Sequence, residues 1–154
     1  MAGSLDYAKE WMRDGDQLLQ RAGQRLAAFD TDHQPMQIEL ATHDFSRAAQ
    51  MYLTGAVEYQ QGREAAVLST ASLDDTVRLV QHLEGRLRSE AEAAWHAAKE
   101  QLLPSQESGR SGGLEPARAF AESLRDRLAH AAPELFDRPS DPEPSREQNP
   151  SRSR

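Results

Sequence analysis

Five histidines, sixteen arginines and no cysteine define the chemistry open to this 154-residue chain. Without cysteine there is neither a disulfide nor a thiolate nucleophile or metal ligand. Serine hydrolysis finds no Gly-x-Ser-x-Gly and no strand-turn-helix to present one. Gly109, Gly112 and Gly113 lead to no Gly-Lys-Ser/Thr, so a phosphate-cradling loop is missing too. Di-metal bundles need a Glu-x-x-His on each of two helices, so that both ligands point inward one turn apart. Glu39 precedes His43 and Glu92 precedes His96, each by four residues, and Glu58 is the obvious inward candidate for a bridging carboxylate. The tighter spacing is absent, so these pairs read as helix-surface pairs. His33 with Asp30 and Asp32 reads as a solvated loop cluster. We therefore expect no metal and no other cofactor.

One spacing carries a sharper chemistry. Arg125, Asp126 and His130 form an Arg followed by four residues and a His. Five positions apart on a helix, the two could converge on one phosphate, the Arg stabilising developing charge and the His transferring protons. With so many arginines, about one such match is expected by chance. Arg118, Arg125 and Arg127 otherwise read as a solvated face with dispersed ion pairs.

These residues must be positioned by helices. Leu5, Ala8, Trp11, Met12, Leu18, Leu19, Ala22, Leu26 and Phe29 recur at steps of three and four, which predicts a helix over about 4–29. Pro35 suits a helix start, so a second helix is expected over 36–61, with a wide apolar stripe and Gly62 at its C-cap. Ser72 caps a third, expected over 72–103 with Asp74 and Asp75 in its first turn and Gly85 as the natural kink. Residues 104–114 read as a flexible linker, 115–131 as a fourth helix, and 137–154, with four of the eight prolines, as a disordered tail. Residues 63–71 fit either a helical turn or a loop. The expected architecture is an all-α, up-and-down four-helix bundle over residues 1–136.

Composition narrows the function further. Leu, Ile, Val and Phe number 26, about 17% of the chain, below the roughly 20% usual for globular domains. Twenty-three alanines make up the difference and bury little area each. Such a thin core predicts that a second copy or a partner covers part of the alanine-rich surface. A net charge of -7 argues against a broad grip on DNA, RNA or anionic lipid. No apolar run is long enough for a membrane span, and the absence of cysteine and of a signal pattern fits a cytoplasmic protein.

Residues 7–83 resemble the HEPN superfamily of small bacterial helical bundles. KEWMRDGDQLL, with Trp11 followed by an apolar pair, is similar to that family's opening helix. FSRAAQMYLTGAVEYQQG, from Phe45 to Gly62, is similar to its second helix, and SLDDTVRLVQHLE to the one after. The likeness covers about half the chain. Nucleolytic members cut RNA with an Arg and a His four to six residues apart, at a site formed across a dimer. By resemblance, Arg125 would bind the scissile phosphate, His130 would move protons and Asp126 would orient them. The Tyr that some toxin members carry two residues past the His is Ala132 here. Many members lack the motif and serve as accessory or ligand-binding bundles.

The leading expectation is a non-catalytic bundle that dimerises or docks on a partner through the alanine-rich face of its second and third helices. A metal-independent endoribonuclease using Arg125, Asp126 and His130 is the alternative. A third reading is a small-ligand or nucleotide pocket between helices, with Arg47 or Arg78 reaching an anion.

Overall fold

A computed structural model describes residues 4–62, 72–101 and 113–136. Five α-helices and two short 3-10 turns make up the described residues, with no strand among them. They are α1 (Ser4–Asp32), α2 (Pro35–Gln61), α3 (Leu73–Arg78), α4 (Gly85–Lys99) and α5 (Leu114–Ala131). The 3-10 turns are Leu79–His82 and Pro133–Leu135. The fold is an all-α, up-and-down bundle of four main helices.

α1 runs one turn further than the apolar stripe suggests. It closes when His33 takes a left-handed conformation at φ 55°, its N–H reaching the Phe29 carbonyl at 2.8 Å. The Asp32 carboxylate then accepts from the Gln34 N–H at 2.9 Å, turning the chain into Pro35. Pro35 opens α2 because a first-turn position needs no N–H donor. Gly62 ends it at φ 71°, as the C-cap expectation requires.

The third predicted helix is broken just before Gly85, the expected kink. Ser72 Oγ accepts from the Asp75 N–H at 3.0 Å and starts α3 as expected, but α3 lasts six residues. After the 3-10 turn, Leu83 and Glu84 are extended and Gly85 sits at φ 58°. The side chain of Gln60 stitches this break to α2, donating to the Glu84 carbonyl at 2.8 Å and accepting from its N–H at 2.7 Å. α4 therefore starts afresh at Gly85 and ends at Lys99 rather than 103. Residues 63–71, the tail expected over 137–154 and, of the linker expected over 104–114, residues 104–112 lie outside the described residues; Leu114 already belongs to α5.

α1 packs against α2, α2 against α5, and α5 against α4. Trp11 meets Glu58 and Arg21 meets Asp44, so α1 and α2 are antiparallel. Gly113 lies beside Thr42 and Tyr59 bonds Glu134, so α5 runs parallel to α2. Trp95 packs edge-on to Phe120 and Arg127 reaches Glu90, which makes α4 antiparallel to α5. Two antiparallel hairpins thus meet along α2 and α5. α2 is enclosed from Asp44 to Glu58, where Arg47 alone is not fully buried.

Twelve of the 27 buried apolar residues among the described ones are alanines. Ala48, Ala49 and Ala56 of α2, with Ala91, Ala94 and Ala98 of α4, have no exposed surface. They are used inside the chain to bring helix backbones close together. Gly55 shows how close: a Cβ there would lie 2.9 Å from Trp11 Cβ and 3.0 Å from the Ala8 carbonyl oxygen. The far end of the α1–α2 hairpin is different. α5 begins level with Thr42, and residues 23–40 extend past it without one buried residue.

Candidate functional site

Arg125 lies on the face of α5 that looks toward α1. Its Nε donates to Asp16 Oδ1 at 2.6 Å and its Nη2 to Oδ2 at 3.2 Å. The Tyr52 hydroxyl donates to the same Oδ1 at 2.5 Å, so one carboxylate ties together α1, α2 and α5. The guanidinium also stands 5.1 Å over the ring of Phe136, which in turn packs against Tyr52. The hydrogen bond to Asp16 raises the Arg125 pKa further. Burial, and then the bond to Asp16, push the Tyr52 hydroxyl well above its ordinary value. This is a staple in which every charge is answered. A phosphate would have to displace Asp16 to be gripped by Nε and Nη2 of Arg125.

His130 follows five residues later, and at about 100° per residue it points roughly 140° away around the helix. Its ring is exposed, with Nδ1 3.0 Å from the Asp126 carbonyl of its own helix. Asp126 is exposed as well. Within the chain, Arg125 turns inward while the other two candidate residues turn out, and the three do not line one cleft.

The remaining candidates are also placed. Glu58 is buried and accepts from Trp11 Nε1 at 2.8 Å. Glu92 pairs with Arg88 at 3.3 Å, and His96, His33, Asp30 and Asp32 are exposed. Among the described residues no three metal-ligand side chains gather. Arg118 pairs with Glu122, and Arg127 with Glu90, the dispersed ion pairs expected of that face. Arg78 pairs with Asp75 on the exposed side of α3.

Arg47 reaches a different setting. It lines an open groove of about 470 Å³ between α1 and α2, together with Asp14, Gln17, Leu18, Arg21, His43 and Met51. Beside the groove Asp44 is buried under two arginines. Arg21 holds it at 3.1 and 2.8 Å, and Arg25 Nε at 2.8 Å. Burial alone would raise the Asp44 pKa; the hydrogen bonds and charges of Arg21 and Arg25 outweigh it and hold the carboxyl below its ordinary value. Arg47 donates to the neutral Gln50 side chain at 3.0 Å.

Sequence reasoning named Arg47 but missed Asp16 and Asp44. A signal was present. Asp44 falls in phase with the apolar stripe through Ala41, Ala48 and Met51, and Asp16 in phase with Met12 and Leu19. A carboxylate in a buried phase needs a cation, and both have one.

The hairpin end is the other exposed feature of note. Met36 is 64% exposed, and Leu26, Phe29, Ile38 and Leu40 are only half-buried. No described helix is long and apolar enough to cross a membrane. Compared with family models, with curated proteins and with solved structures, the chain has no significant match in any of the three.

Proposed function

We propose that the chain is a non-catalytic, HEPN-like helical bundle that works by association, with a second copy of itself as the partner. The HEPN-like part of this reading draws on the pattern of the first two helices and the segment after them, in an all-α bundle. The observation that carries the association is the hairpin end, where residues 23–40 hold five large apolar side chains, Met36 exposed and Leu26, Phe29, Ile38 and Leu40 only partly buried. Two helices alone make half of a bundle's cross-section, since each buries one flank against the other and leaves the rest in water. A second hairpin end laid across it would complete a four-helix layer and cover Phe29, Met36 and Ile38. This moves the association surface from the alanine face, which the fold consumes, to the end of the hairpin.

The endoribonuclease alternative draws on the spacing of Arg125 and His130. It would need Arg125 to leave Asp16 and Tyr52, and a second copy to bring its His130 near. The geometry within the chain favours binding over cleavage.

Because the chain has no cysteine, a single one can report the contact. Met36→Cys should form disulfide-linked dimers under mild oxidation many times faster than Arg118→Cys, which sits on the opposite helix pair. Equal rates for the two variants would refute the hairpin end as the contact.

A further inference from the structure

The α1–α2 groove collects more positive charge than its surroundings answer. Asp44 is one carboxylate shared by Arg21 and Arg25, which leaves about one positive charge uncancelled there. Arg47 adds another: its described hydrogen bond goes to a neutral amide, and it has no carboxylate partner among the described residues. Asp14 subtracts one. In a chain of net charge -7 this is a local reversal of sign.

The geometry suits a small anion. Arg21 projects from α1 and Arg47 from α2, while Leu18 and Met51 give an apolar lining between them. Gln17 and His43 complete the polar part of the lining. At about 470 Å³ the groove is within the range of small-molecule sites, though it is open to water. A guanidinium fork matches a carboxylate or a phosphate through two parallel bonds, which a solvated ammonium cannot do.

We propose that this groove is a binding site for a compact organic anion, a phosphate monoester or a dicarboxylate, gripped between Arg47 and the outer edge of Arg21. Asp14, also on the lining, is the one negative charge a bound anion would have to avoid. The proposal does not depend on self-association. The site stands on the side of the hairpin, and the contact proposed above is at its end.

The test is a titration of the full chain, followed by amide chemical shifts, with inorganic phosphate in one arm and succinate in another. Ionic strength is held constant with chloride. The expected result is a saturable shift confined to residues 14–21 and 43–51, in the arm whose chemistry fits. Arg47→Gln should weaken that binding about tenfold, Arg47→Lys should weaken it less, and Arg118→Gln should leave it unchanged. A melt of each variant separates lost binding from lost fold. Shifts that never saturate in either arm, or that appear equally with chloride, show adventitious ions only and overturn the proposal. So does an affinity unaffected by Arg47→Gln in a folded protein.

Discussion

Two glycines on α1 should respond to alanine with opposite signs. A Cβ at Gly15 would stand 2.6, 2.9 and 2.9 Å from Cε1, Cδ1 and Cζ of Tyr52. Carbon atoms pack best at about 3.5–4.0 Å, so the ring must move by roughly 1 Å. It has little room to do so, being fully buried and anchored through its hydroxyl to Asp16. Overpacking of this kind costs about 1–3 kcal/mol, and a strained hydroxyl bond adds about 1. Better helix propensity returns about 1 kcal/mol. Gly15→Ala should therefore destabilise the fold by about 1–3 kcal/mol. At Gly23 nothing lies within 4 Å of the added carbon, so only the propensity remains and Gly23→Ala should stabilise by up to about 1 kcal/mol. Urea unfolding followed by circular dichroism reads both. The midpoints should move in opposite directions at an unchanged slope. If the clash also displaces the hydroxyl, Tyr52→Phe will cost less in the Gly15→Ala background than alone. Gly15→Ala as stable as Gly23→Ala would refute the close approach of α1 and α2 on which the core depends.

Removing the carboxylate that two arginines share, with Asp44→Asn, should cost about 2–4 kcal/mol in urea unfolding, because it leaves them without their buried partner. The Asp44 pKa is lowered by folding, so its contribution is present in full above the ordinary carboxylate value near 4. It is lost as pH falls through the lower folded value; melts from pH 6 to 2 should show a drop in the wild type that is smaller in Asp44→Asn. Arg125→Gln should lower stability by about 1–2 kcal/mol, discounted for its partial exposure, while His130→Ala should stay within about 0.5 kcal/mol. Equal effects in thermal melts would contradict the inward and outward placement of the two. Ser72→Ala should cost about 1 kcal/mol, measured the same way, through loss of the α3 cap.

Much of the fold is legible in the residues, because local rules act over a few positions. The three-and-four spacing of α1 and α2, Pro35, Gly62 and the Ser72 cap each specify one turn of chain, and each stands where its chemistry puts it. The third helix shows where such rules stop. Its stripe from Val77 to Leu87 is compatible with an unbroken helix, yet Gln60 of α2 satisfies the backbone of Glu84 and makes the break stable. That partner is 24 residues away, and the one local mark of the break is Gly85, which takes φ 58° there. The same holds for the site. Arg125 and His130 have the right spacing in sequence, but Asp16, 109 residues from Arg125, decides which way the arginine turns. The alanines mislead in the other direction. Their small area reads as a weak surface in need of cover, whereas packing uses their size to bring α2 against α1 and α4 against α5.

Sedimentation equilibrium across a hundredfold range of concentration, on the wild-type chain beside Phe29→Glu/Met36→Glu, tests the association most directly. A monomer–dimer equilibrium at micromolar concentration, lost in the charged variant while its melt is retained, is the result this account predicts. A wild-type chain that stays monomeric throughout, or a dimer indifferent to both substitutions, would contradict it.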